Sequence, residues 1–251
     1  MPLVQHLLEL RKRLMLAALG VVLGAVAGWF VAPTVLQSLS APLRGEGSTS
    51  RLSSATYTNI TSAFDVQLEI AIIVGIVLSS PLWLYQIFAF FTPAFTRTEK
   101  RYVFGFFFSA VPLFLIGCAS GWLLIPHIVT LMTGFAAHGA ATLIDFKGYL
   151  DFALRLMLVI GIAFVLPVFL VLLNFIGVVS GVAIMKAWRI AILAITLFTA
   201  IATPSADVIS MLLLAIPMVV LYFVAVGVTI VHDRRVAARQ EALLSSDVDA
   251  L

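Results

Sequence analysis

Long apolar runs separated by short polar or charged segments dominate the sequence. A helix needs about 20 mainly apolar residues to cross roughly 30 Å of hydrocarbon, so runs of this length predict membrane spans. We expect spans at about residues 14–36, 68–91, 102–125, 149–176 and 208–231. The run Trp188–Ala202 has only fifteen residues, or about 22 Å of helix. It is predicted to be a short span, the fifth of six in chain order.

The first thirteen residues, Met1–Arg13, combine leucines at helical spacing with interleaved charges. This pattern is typical of an amphipathic helix at a membrane surface. In the apolar run that follows, Gly20, Gly24 and Gly28 recur every four residues, which would let another helix approach closely. An alternative interpretation is a cleavable signal peptide ending near Ala25–Ala27, but the apolar run continues past this point and is longer than such a peptide usually has.

Three features near the ends of the spans have mainly structural interpretations. The segment Ser62–Asp65 has a capping-box pattern for the second span. Glu69 follows closely, where water and the helix dipole can stabilise a carboxylate. Arg155 follows Asp151 by four residues, so the two are expected to form an ion pair on one face of the fourth span.

Composition narrows the class of protein. Of the 251 residues, 62% are hydrophobic and 11% are charged, whereas soluble domains carry about 25% charged residues. The chain is therefore predicted to be an all-α integral membrane protein with one membrane domain over residues 1–251 and a polar tail from 232 to 251. The net charge of +3 comes from short clusters beside the apolar runs, which argues against a nucleic-acid partner.

Basic residues are distributed unequally between the two sides of the predicted spans. With six spans, both termini and the connections after the second and fourth spans share one side. That side carries Arg11, Lys12, Arg13, Arg97, Lys100, Arg101, Lys186, Arg189, Arg234, Arg235 and Arg239. The opposite side carries only Arg44, Arg51 and Lys147. Because basic residues concentrate on the cytoplasmic side of membrane proteins, both termini are predicted to be cytoplasmic.

Catalytic motifs are missing from the sequence. It contains no HExxH, GxSxG, P-loop or CxxC motif, and its four histidines are scattered. We therefore expect no enzyme activity, no cofactor and no metal. A small-solute secondary transporter is an alternative, although transporters place ionisable groups deep inside their spans and the charges here cluster at span ends. A structural membrane scaffold is a third interpretation.

Two carboxylates in basic surroundings, Glu9 and Glu99, are the main candidates for recognition chemistry. Each also has a structural interpretation, because Glu9 can pair with Arg13 and Glu99 completes a capping-box pattern that begins at Thr96. In the functional interpretation, both face one cytoplasmic groove and accept guanidinium groups from a peptide. A carboxylate accepts arginine in a planar bidentate arrangement that lysine cannot reproduce, so such a site would discriminate between them.

Short motifs occur in order along nearly the whole chain. They are His6–Leu14, Ser40–Leu43, Leu84–Phe90, Pro93 with Glu99–Arg101, Phe164–Pro167, Thr203–Pro204 with Asp207–Val208, and Leu214–Pro217. Together they closely resemble the TatC family, the multispanning receptor subunit of the twin-arginine protein translocase. Each motif alone is weak, but their order along the chain makes the resemblance specific.

The resemblance implies a cupped arrangement of six helices in the bacterial cytoplasmic membrane. Such a protein would bind the twin-arginine signal peptide of a folded cargo at its cytoplasmic face, and transport would use the proton-motive force. The implied partners are TatA- and TatB-like single-span subunits, the lipid bilayer and further copies of the chain. The positions implied in signal-peptide binding are Glu9, Glu99, Phe90, Gln86, Arg13 and Arg101. Those implied in partner contacts or structure are Pro42, Thr203, Asp207 and Met211.

The chain also differs from the pattern that many members of this family share. Val165 stands where a glutamate often precedes the proline of the fourth span by two residues, and Met211 stands where the sixth span often has a glutamine. The turn after Pro204 is one residue longer than in many relatives. Roles that depend on the replaced polar side chains are therefore not expected in this chain.

Overall fold

The computed structural model describes the backbone of residues 3–44, 55–56, 61–91, 97–134, 144–202 and 208–249. This part of the chain is almost entirely helical. The helices are α1 (Leu3–Arg44), α2 (Ser62–Leu78), α3 (Ser80–Phe91), α4 (Arg97–Gly134), α5 (Phe146–Phe175), α6 (Gly181–Lys186), α7 (Trp188–Ala202) and α8 (Val208–Asp249). Two short strands, β1 (Ala55–Thr56) and β2 (Ile144–Asp145), pair in parallel. The predicted all-α class is confirmed.

The first helix is longer than the sequence predicts. α1 runs without interruption through 42 residues, so the amphipathic segment up to Arg13 and the apolar run from Leu14 form one helix. The expectation of a separate surface helix is corrected. The residues at this junction, including Leu10, Lys12 and Met15, are all good helix formers, so nothing in the local sequence stops the helix.

The second predicted span is divided into α2 and α3, whose axes meet at an angle of 56°. The break falls at Ser79, and Pro81 lies in the first turn of α3. Proline lacks an N–H group and its ring clashes with the carbonyl four residues earlier, so α2 cannot continue through this point regularly. The indole Nε1 of Trp83 donates to the carbonyl oxygen of Ile76 at 2.9 Å, which satisfies a carbonyl near the end of α2.

The start of α2 also differs from the prediction. The N-cap residue is Thr61, not Ser62, and Thr61 makes no capping hydrogen bond with its side chain. The backbone carbonyl of Thr61 instead accepts from the N–H groups of Phe64 and Asp65, each at 3.0 Å. The predicted capping box is therefore wrong.

Within the described residues, four helical segments are long and apolar enough to cross a membrane. They are Leu7–Ser40, Phe104–Ile128, Phe146–Phe175 and Leu214–Glu241. The bent pair α2–α3 meets the same criterion as a unit, and α7 is a shorter apolar helix with the bounds predicted from the sequence. These segments correspond to the six predicted positions. The number of crossings and the cytoplasmic placement of the termini stay predictions.

The chain forms two compact units. The first comprises Met1–Pro93 and Val111–Ala163, and the second comprises Ala94–Ala110 and Phe164–Leu251. In the first unit, α1 and α2 are packed backbone to backbone, because a Cβ atom on Gly24 would lie only 2.5 Å from the carbonyl oxygen of Gly75. Gly28 meets the backbone of Ala71 in the same way. The close approach predicted from the glycine spacing is confirmed.

The remaining core of the first unit is apolar and aromatic. Gly121 of α4 allows close contact with α5, since a Cβ atom there would lie 2.8 Å from the Cα atom of Met157. Trp83 packs edge-on against Phe114 with ring centroids 5.3 Å apart. Fully buried side chains from four helices complete this core: Ile70, Leu84, Phe88, Phe114, Leu150 and Leu154. These contacts hold α2, α3 and α5 in fixed register.

In the second unit, α5 ends in a turn with two backbone hydrogen bonds. Gly177 has a positive φ of 80°, and its N–H donates to the carbonyl of Asn174 at 2.8 Å. The N–H of Val178 donates to the carbonyl of Leu173 at 3.0 Å. This pair of bonds is a Schellman motif, which stops a helix and satisfies its last carbonyl groups.

Polar side chains then connect α5, α6 and α8. The carboxylate of Asp233 accepts from Asn174 Nδ2 at 2.9 Å and from the N–H of Gly181 at 2.7 Å. The Tyr222 hydroxyl donates to the carbonyl of Ile184 at 2.6 Å. The predicted polar tail therefore begins in a helix that is fixed to its neighbours, and α8 continues to Asp249.

Candidate functional site

Glu9 and Arg13 form an ion pair on one face of α1. Arg13 donates from Nε and Nη2 to the same oxygen, Glu9 Oε1, at 3.1 and 2.6 Å. The side chain of Glu9 keeps 26% of its surface exposed and that of Arg13 keeps 23%. The pairing predicted from the four-residue spacing is confirmed. Because both contacts use Oε1, the pair is not the two-oxygen fork that arginine and a carboxylate can form.

Gln86 and Phe90 lie one turn apart on α3, and both are half buried. Side chains four residues apart share a helix face, so these two candidates are neighbours on the surface of α3. Leu84 and Phe88 are fully buried and fix the rotation of the helix. α3 therefore presents Gln86 and Phe90 at a defined surface of the first unit.

Glu99 and Arg101 lie on α4, which begins at Arg97, but their side chains fall outside the described part of the chain. Thr96 and Pro93 also lie outside the described residues, so the predicted capping box at Thr96 stays a prediction. Glu9 belongs to the first unit and Glu99 to the second. That the two carboxylates face one groove stays a prediction.

The four residues implied in partner contacts or structure are described only in part. Pro42 lies near the end of α1, and its side chain is not described. Thr203 and Asp207 fall in the segment 203–207, outside the described residues. Met211 lies in the first turn of α8 and is half buried. Their predicted roles remain predictions.

A charged cluster between α2 and α5 is not predicted from the sequence as one site. Lys147 Nζ lies 3.2 Å from Asp65 Oδ2, and Arg155 Nε lies 4.0 Å from Glu69 Oε1. Asp151 lies between the two basic residues on α5, and its Oδ1 is buried without a hydrogen-bond partner in the described residues. The three α5 residues are spaced by four and so lie on one face.

Two structural predictions for this region are corrected. Arg155 pairs with Glu69 on the neighbouring helix rather than with Asp151 on its own. Glu69 is not simply solvated at a helix end, because it lies seven residues inside α2 and faces charged groups of α5. The four-residue spacing of Asp65 and Glu69 could have indicated a charged face on α2, but not its partner helix.

No group of three His, Cys, Asp or Glu side chains in the described residues is arranged to hold a metal ion. A cavity of about 520 Å³ in the second unit is lined by Phe175 and by α8 residues, with His232, Arg235 and Arg239 as its ionisable groups. Its lining offers neither a carboxylate nor a hydroxyl or thiol nucleophile.

The length and composition of the helices indicate the class of protein. Most of the described chain is apolar helix of membrane-spanning length, and three ion pairs, one within α1 and two between α2 and α5, involve its charged groups. This is a multi-pass helical membrane protein.

Comparisons with known proteins identify the family. The family model of the Sec-independent protein translocase protein (TatC) matches residues 5–217. The Sec-independent protein translocase protein TatC of Xylanimonas cellulosilytica is 41% identical over 240 residues, covering 95% of this chain and 87% of that protein. The TatC protein of Haemophilus influenzae is 35% identical over 225 residues, covering 88% and 86%. The chain belongs to the TatC family.

Solved structures agree with this assignment. The crystal structure of the twin arginine translocase receptor TatC in DDM has a TM-score of 0.77 and 26% identity to this chain, covering 89% of this chain and 99% of that one. A second crystal structure of the same receptor has a TM-score of 0.73. The predicted resemblance is therefore confirmed by both sequence and fold.

Membership of the family settles the broad function. The chain is a subunit of the Tat protein translocase, a non-enzymatic transport protein that works in a complex with other subunits. It is a multi-pass protein of the bacterial cytoplasmic membrane. The predicted absence of enzyme activity is confirmed by this assignment, and the alternative of a small-solute transporter is not favoured.

Proposed function

We propose that this chain is the receptor for twin-arginine signal peptides and the core subunit of the translocase, exporting folded proteins with the proton-motive force. Two lines support the proposal. The solved relatives are described as twin arginine translocase receptors, and the chain keeps Glu9, Gln86, Phe90 and Glu99 at the positions that the family resemblance implies in recognition.

The observation that carries the proposal is the contact between Glu9 and Arg13. Glu9 already accepts a guanidinium group, through one oxygen and with both side chains about three-quarters buried. An arginine from a signal peptide would bind to Oε2, or would displace Arg13 from Oε1. Partial burial strengthens such a contact, because less water competes for the carboxylate.

Phe90 and Gln86 would contact the peptide, and Glu99 would provide a second negative charge. Phe90 and Gln86 lie on one face of α3, where a ring can stack on a guanidinium plane and an amide can hydrogen-bond a peptide backbone. Glu99 would accept the second arginine, with Arg101 and Arg13 setting the local charge. In this arrangement a lysine pair binds less well, because ammonium groups cannot make planar bidentate contacts.

Orientation and partners complete the proposal. In the proposed topology of six spans with cytoplasmic termini, Glu9 and the connection before α4 would lie on the cytoplasmic side, where signal peptides arrive. TatA- and TatB-like single-span subunits would dock near Thr203, Asp207 and Met211, with Pro42 supporting the opposite face. Further copies of the chain would assemble in the same complex.

The test is site-specific photocrosslinking from a probe at Phe90 to a twin-arginine peptide and to its twin-lysine version. The matched control carries the probe at Phe30, which is 79% exposed in the middle of α1. We expect crosslinks from Phe90 to the arginine peptide, far fewer to the lysine peptide, and none that distinguish the peptides at Phe30. Equal crosslinking of both peptides at Phe90 would overturn arginine-specific recognition.

Glu9→Gln and Glu99→Gln then test the carboxylates, with Glu241→Gln of α8 as the control. An exposed ion pair contributes about 0.2–1 kcal/mol, which is at most about fivefold in Kd. Because Glu9 is mostly buried, we expect losses of roughly tenfold or more in peptide affinity. If both variants bind the peptide like the control, the carboxylates serve only as an ion pair and a helix cap.

A further inference from the structure

The cavity of about 520 Å³ in the second unit is apolar at one end and basic at the other. It lies beside α8 and the end of α5, and we call it the α8 groove. In chain order, its described lining residues on α8 are Val224, Gly227, Val228, Val231, His232, Arg235, Val236 and Arg239. Residues three or four positions apart are neighbours on a helix surface. One face of α8 therefore supplies an apolar half and then a basic half.

The apolar half of the groove is open at the surface of α8. Val224, Val228 and Val231 are exposed, and they belong to the helical segment Leu214–Glu241, which is long and apolar enough to cross a membrane. A Cβ atom at Gly227 would meet no atom within 4 Å in the described part of the chain. From Val224 to Val231 the helix rises about 10 Å. An apolar chain can therefore lie along this half, in the space beside Gly227.

The basic half of the groove carries two arginines. Arg235 and Arg239 are exposed, lie one turn apart and form no ion pair within the described residues. No carboxylate is among the described lining residues. Asp233 accepts instead from N–H donors of α5 and α6, and Glu241, two positions after Arg239, does not share its helix face. Like charges four residues apart repel each other, so an anion that bridges the two arginines would be bound favourably.

A stacked pair of rings lies where the two halves meet. His232 follows Val231 directly, and its ring stacks on that of Phe175 with centroids 3.7 Å apart and planes 16° apart. Both rings line the groove. Phe175 is the last residue of α5, and the Schellman motif that follows it fixes this helix end. The groove therefore has a wall held by α5 at the level where its lining changes from apolar to basic.

An anionic phospholipid is complementary to both halves of the groove. Guanidinium groups bind phosphate oxygens through paired N–H donors, and basic pockets beside membrane-spanning helices bind anionic lipid headgroups. An acyl chain would lie along the apolar half. Inorganic phosphate would contact the basic half alone, and a twin-arginine peptide would be repelled by it, because like charges placed side by side disfavour binding.

We propose that the α8 groove binds one anionic glycerophospholipid, with its phosphate between Arg235 and Arg239 and part of one acyl chain along Val224 to Val231. The volume of about 520 Å³ lies within the roughly 300–1,000 Å³ of ligand pockets and suits a headgroup with the first part of one chain. The bound phosphate would offset the repulsion between the two arginines. The site is independent of the proposed peptide recognition at Glu9, so it can be tested without a signal peptide.

The direct test is native mass spectrometry of the purified full chain with phosphatidylglycerol and with phosphatidylcholine of the same acyl chains. Arg235→Gln removes one proposed phosphate contact. Arg234→Gln is the matched control, because Arg234 is the adjacent exposed arginine and does not line the groove. We expect the unmodified chain and the control to prefer phosphatidylglycerol by roughly tenfold or more, and Arg235→Gln to lose roughly five- to tenfold in affinity for it. Equal losses in the two variants would overturn the site.

Gly227→Leu tests the apolar half. The new side chain would occupy the groove without a close contact in the described chain, and leucine is a better helix former than glycine, so the variant should fold. Gly105→Leu on α4 is the matched control, because a Cβ atom there also meets no described atom within 4 Å and Gly105 does not line the groove. Phosphatidylglycerol should raise the Tm of the unmodified chain and of the control, but not that of Gly227→Leu.

Sodium phosphate, compared with sodium chloride at equal ionic strength, distinguishes a lipid site from a site for free phosphate. In the same thermal assay, phosphate should raise the Tm no more than chloride does. A rise as large as that with phosphatidylglycerol, or a full rise with the lipid in Gly227→Leu, would show that the basic half binds anions without the apolar half and would overturn the proposal. If Gly227→Leu fails to fold, the two arginine variants still decide the outcome.

Discussion

Two aspartates lie where helices meet in this protein, and they differ in their hydrogen-bond donors. In the second unit, Asp233 accepts from two N–H groups, those of Asn174 Nδ2 and Gly181, at 2.9 and 2.7 Å. In the first unit, Asp151 Oδ1 is buried and has no donor in the described residues. A hydrogen bond to a carboxylate stabilises the folded chain, whereas a buried acceptor without a donor costs free energy.

The donors around a carboxylate, more than its depth in the protein, decide its role. Asp233 fixes the end of α5, the start of α6 and the middle of α8 to one another, which is a structural role. Asp151 Oδ1 has no such donor in the described residues. Substitutions should therefore have a larger effect at Asp233 than at Asp151.

The largest effect is expected at Asp233. Asp233→Ala removes the acceptor of two hydrogen bonds to a charged group and should lower the free energy of unfolding by about 2 kcal/mol. Asp233→Asn keeps one acceptor oxygen and should cost about half as much. Chemical denaturation of the full chain in detergent measures both, with exposed Glu241→Ala as the control. A loss no larger than in the control would remove the structural role of Asp233.

A smaller effect is expected for Arg155→Gln. The side chain is 73% exposed and lies 4.0 Å from Glu69, so the change should destabilise the chain by about 0.2–1 kcal/mol. The double variant with Glu69→Gln should lose less than the sum of the two single losses, because the same ion pair is removed only once. Losses that simply add would contradict a direct interaction between the two side chains.

Arg13→Gln is expected to have a comparable or lesser effect on stability. A pair four residues apart on a helix contributes about 0.3–0.5 kcal/mol, and the ion pair of Arg13 and Glu9 lies within α1. The same variant should change peptide binding more than it changes stability, since it frees Glu9 Oε1 for an incoming arginine. Titration of a twin-arginine peptide at two salt concentrations measures this, because screening weakens exposed charge pairs. Unchanged affinity would separate Arg13 from recognition.

The smallest effect on stability at neutral pH is expected for Asp151→Asn. Asp151 Oδ1 accepts no hydrogen bond in the described residues, so the change should stay within about 0.5 kcal/mol. Asp233→Asn, the same chemical change in the second unit, should cost clearly more. Equal losses from the two substitutions would show that the hydrogen bonds of Asp233 do not set it apart.

Much of the fold was predictable from the sequence, because it depends on local pattern. Apolar runs predict the helices, and the bounds of α7 agree with the predicted Trp188–Ala202. The spacing of Glu9 and Arg13 predicts their ion pair, and the glycines of α1 predict its close packing against α2. The bend between α2 and α3 was missed although Pro81 signals it, since the apolar pattern continues across the break.

The sequence by itself therefore determined the helices, the class of membrane protein, the family and the charge pairs within one helix, because these depend on residues a few positions apart. Only the tertiary structure decided that Arg155 pairs with Glu69 rather than Asp151, and that Asp65 meets Lys147, 82 residues away in the chain. Which faces of two helices pack together is set by the whole interface, so contacts between helices cannot be derived from the spacing within either one.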